Sequence, residues 1–306
     1  MQTIIVAETR IKDLIEPDLK KLNPKLPIKL HLEINPTADL RDEIDSNYGG
    51  LIVSHSERFN SISNELNLIN NQNSFQTKLN LFEFYEKHFQ KIPLFFVESD
   101  NSKLRQKVEK INYLNSYRKR FLDIVLAVGL LTLTAPFFLM IPPLIRLGSR
   151  GPIFYQQIRT GKDNKKFQIF KFRSMIIDAE KDGPRWATKN DSRITFIGKI
   201  MRKTRIDELP QLWNVLKGEM SLIGPRPERP EFIAMLSKNL PGYHLRHNIK
   251  PGLTGWAQIK HPYGSSLNDA KEKLQLELYY LKNGSFWLDL KILFRTVFVV
   301  LGARGQ

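Results

Sequence analysis

The sequence predicts an α/β protein in two parts. Residues 1–115 form a small N-terminal α/β domain, and 116–306 a mostly helical domain with a β-hairpin and a kinked, re-entrant membrane helix. Three observations carry this. Strand-like runs alternate with helical pattern before residue 115. An apolar run at about 121–145 is interrupted by Pro136 and by Pro142-Pro143. Two alternating arms then flank a polar turn within 152–175.

In the first part, Thr3–Ala7 and Gly50–Ser54 are compact β-rich runs, and IKLHLEI at 28–34 alternates as a half-buried strand does. PLFFVE at 93–98 is a further strand candidate. IEPDLKKL and FEFYEKHF carry helical pattern between them, so the sheet is expected to be partly parallel. The polar stretch 64–76 reads as loop. No GxGxxG turn is present, so no dinucleotide is expected. This part reads as a regulatory or packing domain without chemistry of its own. Met1-Gln2 leads into a strand-like run with no basic signal region, so residues 1–110 are expected to stay in the cytoplasm.

Composition narrows the chemistry. The chain has no cysteine, which removes disulfides, thiolate catalysis and Cys-based metal sites. Its six histidines show no HExxH spacing, and His244 and His247 read as structural or loosely phosphate-facing. The net charge of +16 is uneven: residues 1–110 hold 15 Lys/Arg against 16 Asp/Glu, so the excess lies entirely beyond them. Such a field attracts nucleic acid, an anionic membrane or phosphorylated substrates. The apolar run argues against nucleic acid, because a soluble DNA-binding domain has no use for it.

That run, FLDIVLAVGLLTLTAPFFLMIPPLI, is long enough to span a bilayer. Pro136 near its middle removes a helix hydrogen bond. Arg118, Lys119 and Arg120 precede it, and Arg146 and Arg150 follow it. Basic residues mark cytoplasmic flanks, so both ends are expected on one side, with a helix–break–helix entering and leaving one leaflet. Asp123 near the entry is expected to pair with a neighbouring cation.

In the hairpin, Lys171 and Arg173 are two apart and share a strand face, while Phe170 and Phe172 share the other. A cationic face of that kind suits phosphate. Near the end, FWLDLKILFRTVFVVLG at 286–302 reads as an interfacial amphipathic helix, with Trp287 at headgroup depth.

The chemistry concentrates at Asp207-Glu208. Pro210 places them in the first turn of a helix that Gly218 ends, at its positive pole. Leu209, Leu212, Trp213 and Leu216 are expected in the core. An isolated acid pair at a helix start is usually only a cap. Here Arg202 and Arg205 precede it and two Gly/Pro-structured loops follow. Gly224-Pro225-Arg226-Pro227 stiffly presents one guanidinium, and Lys250–Gln258 carries Thr254, Trp256 and Gln258. One loop suits a phosphate, the other a base or ribose. Acids among many cations read as a site for phosphate and a divalent metal. Asp207 is expected to be ionised at pH 7, because the helix end and the cations favour its charged form.

Together these segments resemble the bacterial sugar transferases, also called monotopic phosphoglycosyl transferases, over roughly 117–303. The likeness rests on Lys119, Arg120, Phe121 and Asp123, the proline-broken helix, KFRSM, and the helix running from Arg202 through DELPQLWNVLKG. It continues in GPRP and in the segment with Arg246, His247, Lys250 and PGLTGWAQ. The resemblance implies a reaction at the cytoplasmic face of the bacterial inner membrane. A UDP-sugar gives its sugar-1-phosphate to undecaprenyl phosphate, and UMP leaves. By position, Asp207 is the nucleophile that forms an aspartyl-phosphosugar, and Glu208 completes the pair by placing Mg²⁺ or assisting proton movement. Arg226 binds phosphate, and Lys171 and Arg202 complete the cationic site; Arg173, Arg246, Lys250, Thr254, Trp256 and Gln258 are further substrate-binding candidates. The implied partners are UDP-sugar, undecaprenyl phosphate and membrane lipid, with no nucleic acid. A homodimer is compatible with the sequence, which does not fix the oligomeric state. Ala135 departs from the family pattern, in which Ser often precedes the kink proline Pro136. The first part resembles a shortened regulatory domain of longer members, ending near 82–94. A catalytically silent membrane scaffold of the same fold is the competing reading.

Overall fold

The computed structural model describes residues 2–7, 15, 17–19, 28–32, 48–53 and 77–98. It also describes 113–302, apart from 182, 184–190, 262–263 and 265. The stretch 64–76, expected as loop, lies outside the described residues. Two compact units divide the chain, Met1–Asn101 and Ser102–Gln306.

The first unit holds β1 (Gln2–Ala7), β2 (Ile28–Leu32), β3 (Tyr48–Val53) and β4 (Thr77–Asn80). They lie in the order β2-β1-β3-β4 and every pairing is parallel. α1 (Leu81–His88) follows directly and buries Leu81, Phe84 and Tyr85, an i, i+3, i+4 stripe. The run at 93–98 is not a strand. Phe95–Glu98 makes a helical turn instead, with Phe96 edge-on to Phe82 at 5.1 Å. A short apolar run has no period of its own, so packing decided its form.

The second unit begins with α2 (Tyr117–Gly148), capped by the Ser116 hydroxyl. The expected break does not appear: the helix continues through Pro136, Pro142 and Pro143. Each proline removes only one backbone donor, and the rest of the ladder persists. Just before Pro136, the Thr132 and Thr134 hydroxyls bond back to the carbonyls of Val128 and Leu130. At 1.5 Å per residue the helix is about 48 Å long. No residue from 128 to 140 is buried, whereas Lys119, Asp123 and Ala127 are buried at one end and Ile141 and Ile145 at the other.

The second unit holds both ends of α2. Lys119 Nζ binds Asp289 at 2.7 Å, and Arg120 donates to the carbonyls of Val215 and Leu216. Asp123 forms no ion pair among the described residues. It accepts from the Ser221 hydroxyl and the Leu222 amide, each at 3.1 Å, because Lys119 is already spent on Asp289. At the far end Ile141 and Ile145 pack with Phe172 and Met201, and Ile206 and Leu209 close over them.

The hairpin is β5 (Phe154–Thr160) and β6 (Lys166–Phe172), antiparallel, with Tyr155 opposite Lys171. Its turn places Asp163 and Asn164 in the left-handed region, which their short side chains tolerate. α3 (Phe196–Thr204) leads to a 3₁₀ turn, Ile206–Gln211, and then to α4 (Leu212–Lys217). Next come β7 (Ser221–Ile223), α5 (Pro230–Asn239) and β8 (Gly252–Thr254), which pairs parallel with β7. α6 (Trp256–Lys260), α7 (Leu267–Asn283) and α8 (Phe286–Leu301) complete the unit.

Candidate active site

Asp207 and Glu208 stand in the 3₁₀ turn between α3 and α4 rather than in a regular first helical turn. Arg205, the joining residue, is left-handed at φ 59°, a costly conformation for a bulky side chain. It reverses the chain sharply enough to bring the pair beneath β6. The floor is the cluster of Ile206 and Leu209 on Ile141, Ile145, Phe172 and Met201, so the end of α2 supports the acid pair directly. Of the expected helix core, Leu212 is fully buried but Trp213 is 54% exposed. The change from 3₁₀ to α geometry rotates it outward. Asn214 takes the inward place instead, with its amide bonded to Gln168 O, Phe170 N and Glu219. It thereby fixes β6, and with it Lys171, against α4.

The two acids have opposite surroundings. Glu208 Oε1 meets Lys171 Nζ at 2.9 Å and Arg226 at 2.5 Å, and Arg205 lies 3.7 Å from Oε2. Burial alone would raise the Glu208 carboxyl, but Arg226, Lys171 and Arg205 outweigh it and hold it well below its usual range. Asp207 Oδ1 is buried and accepts no hydrogen bond from the described residues. Burial, and then the Glu208 charge, push Asp207 up, against the pull of Lys171, Arg202 and Arg205. This reverses the direction expected for Asp207: the neighbouring cations are engaged by Glu208, so desolvation wins. Lys171 is pushed down by burial despite Glu208.

A cavity of about 340 Å³ opens over the pair. Cationic side chains outnumber carboxyls in its lining, and Tyr155, Phe232 and Tyr243 supply aromatic wall. Lys171, Arg202, Arg226, Asp207 and Glu208 all line it, as do Arg173 and Arg246. The last two are committed elsewhere. Arg173 donates to Ser149 O at 2.6 Å and Arg150 O at 2.8 Å, tying off the end of α2. Arg246 forks onto Glu277 with two 2.8 Å bonds and donates to Arg226 O at 2.8 Å, so it holds the Arg226 loop.

The second Gly/Pro loop does not bring its side chains to the cavity. Thr254 bonds Thr296, Gln258 donates to Leu253 O, and Trp256 is 1% exposed against Tyr279. Lys250 lies outside the cavity lining as well. This loop supports the first instead. Gly224 N donates to Thr254 O and Gly252 N to Pro225 O, so the backbones run in contact. A Cβ on Gly224 would stand 2.5 Å from Lys250 O, and one on Gly252 2.0 Å from Gly224 N. His247 is buried, and burial with Arg246 and His244 beside it lowers its imidazole to about 3. It is neutral at physiological pH and binds no phosphate by charge.

Sequence reasoning missed the far wall. Arg159 donates to Pro227 O at 3.1 Å, and Arg229 binds Glu180 at 2.7 Å. Only one signal pointed to Arg159: its two-residue spacing from Gln157 and Tyr155 on the face shared with Lys171.

No group of three potential metal-ligating side chains occurs among the described residues. The donor set still fits Mg²⁺ held by few protein ligands. Asp207 Oδ1 is unsatisfied, and Mg²⁺ is commonly held by one or two carboxylates plus substrate phosphates and water. Glu208, with both oxygens near cations, is the poorer ligand.

The buried, split acid pair thus lies under a cation-rich cavity and rests on an apolar helix long enough to cross a membrane. The family model described as "Bacterial sugar transferase" matches residues 114–303, and the chain belongs to that family. It is 45% identical over 190 residues to the UDP-N-acetylgalactosamine-undecaprenyl-phosphate N-acetylgalactosaminephosphotransferase of Aeromonas hydrophila, covering 62% of this chain and 45% of the relative. It is 42% identical to the UDP-glucose:undecaprenyl-phosphate glucose-1-phosphate transferase of Klebsiella pneumoniae, over 61% of this chain and 41% of the relative. It is also 44% identical to the exopolysaccharide production protein PSS of Rhizobium leguminosarum bv. phaseoli, over 61% of this chain and 96% of the relative. The chain thus spans less than half the length of the first two.

Proposed function

We propose that this chain transfers a sugar-1-phosphate from a UDP-sugar to undecaprenyl phosphate and releases UMP, at the cytoplasmic face of the inner membrane, in bacterial glycan synthesis. The observation that carries the reading is the unpartnered Asp207 oxygen beside a Glu208 already neutralised by cations. Two adjacent carboxyls driven apart in this way divide the labour of a site. Family membership and the names of the relatives support the substrate class.

Asp207 attacks the sugar-bearing phosphorus. A P–O bond forms to its carboxylate, and the bond to the UMP oxygen breaks with UMP taking the electron pair. The acceptor lipid phosphate then attacks the same phosphorus, and the carboxylate leaves unchanged. Splitting the transfer lets two substrates of unlike solubility use one site in turn. Desolvation makes Asp207 a more basic, stronger nucleophile once ionised, and the incoming diphosphate meets Lys171, Arg202, Arg205 and Arg226. Glu208 holds Lys171 and Arg226 in place rather than reacting. Mg²⁺, held by Asp207 and substrate oxygens, would offset phosphate charge. α2 enters the membrane through its exposed 128–140 segment as one unbroken helix, with its buried residues near its two ends.

The test is UMP release by detergent-solubilised protein with Mg²⁺, undecaprenyl phosphate and a panel of UDP-sugars. Release with one sugar, absent in Asp207→Asn, is expected. No release with any donor would favour the silent scaffold.

A further inference from the structure

Away from the cavity, three cations converge on one ring. Lys260 Nζ lies 5.0 Å from the Trp256 ring centre, Lys291 Nζ 5.5 Å and the Arg295 guanidinium 6.0 Å. Lys260 ends α6, and Lys291 and Arg295 are four apart on α8, so they share a face. All three are exposed, and none lines the Asp207 cavity. None forms an ion pair among the described residues. Partial burial, with Arg295 and Lys291 nearby, pushes Lys260 down. The ring face offsets part of this crowding of like charge. An anion would offset the rest.

The same helix identifies the anion. α8 exposes Trp287, Leu290, Phe294, Val297 and Phe298, spaced along one side at helical intervals. A stripe of this kind sinks into the acyl boundary of a bilayer and leaves flanking cations at headgroup depth. At that depth the abundant anion is lipid phosphate. We propose that Lys260, Lys291 and Arg295, floored by Trp256, bind the headgroup phosphate of an anionic membrane phospholipid. The site is separate from the one that performs transfer, and the inference stands independently of the proposed reaction. Its occupation fixes the height of α8, and hence of the domain, against the bilayer.

The test measures partition of the full chain onto three vesicle types: phosphatidylcholine alone, with one-third phosphatidylglycerol, and with undecaprenyl phosphate. In Lys260→Gln/Lys291→Gln/Arg295→Gln, partition onto phosphatidylglycerol vesicles should fall about a hundredfold, at roughly fivefold per cation. Partition onto phosphatidylcholine alone should not change, which shows the variant is folded with its apolar stripe intact. A control, Lys165→Gln/Lys166→Gln/Lys238→Gln, removes equal charge from exposed positions elsewhere. Three results overturn the proposal: an equal fall in the control, a retained phosphatidylglycerol preference in the cluster variant, or a loss confined to undecaprenyl phosphate vesicles. The last assigns the cluster to the acceptor lipid.

Discussion

Asp207 and Glu208 are adjacent, both 5% exposed, and opposite in what they cost the fold. The Asp207 carboxyl is raised, so ionising it penalises the native state. That penalty is absent below the ordinary Asp value and grows as pH rises above it. Asp207→Asn should therefore melt higher than the parent at neutral pH, by about 2–4 °C for each kcal/mol relieved, with the gap closing near pH 3–4. It should lose transfer at the same time. Glu208 is lowered, so its contribution is fully present above the ordinary Glu value and is lost as pH falls through its depressed one. Glu208→Gln leaves Lys171 and Arg226 without their counter-charge and should cost on the order of 3 kcal/mol at neutral pH. Thermal melts of both variants against pH decide the matter; equal shifts of one sign would sink it. The identity of the pair was legible from Pro210, Gly218 and the surrounding cations. The direction of the Asp207 shift was not, because it depends on which carboxyl captures Lys171 and Arg226, and only the backbone reversal at Arg205 settles that.

Elements legible in the sequence were the hairpin at 152–175, from its alternating arms, α2, from its long apolar run though not its continuity through Pro136, and the helix α8. Where period failed, tertiary contacts decided, as at Phe95–Glu98 and Trp213. The loop of Lys250–Gln258 was legible as a structured loop but not as a support, since backbone contact leaves no trace in side-chain chemistry. Its role can be tested through Gly252. A methyl there would meet Gly224 N at 2.0 Å, backbone against backbone, so one loop must shift. Arg226, two residues on, shifts with it and leaves Glu208. Gly252→Ala should cost roughly 1–3 kcal/mol, as overpacking does. It should also raise KM for the diphosphate donor, because Arg226 faces the cavity. Steady-state kinetics beside a melt check this; a melt that falls with KM unchanged would leave the loop without a role in the site.

At the scale of the whole molecule, the charge and the chemistry reside in the same half. The +16 excess lies beyond residue 110, the cavity is lined from 152 to 277, and the family match begins at 114. The first unit, a parallel four-stranded sheet with a helix on its end, contributes no cavity residue among those described. The Rhizobium relative is 96% covered by the matched region, so that relative has almost no counterpart of the first unit. The second unit also carries α2, which is long and apolar enough to cross a membrane, and ties it to α8 through Asp289. That residue takes Lys119 at 2.7 Å from α2 and the Tyr280 hydroxyl at 2.7 Å from α7. A protein lacking residues 1–101 should therefore still partition into membranes and release UMP with a KM close to that of the full chain. Any change should fall on regulation, seen as altered response to salt or product rather than loss of turnover. Complete inactivity of a well-folded truncated protein would show that the sheet supplies part of the site, and would move the regulatory reading of the first unit to a catalytic one.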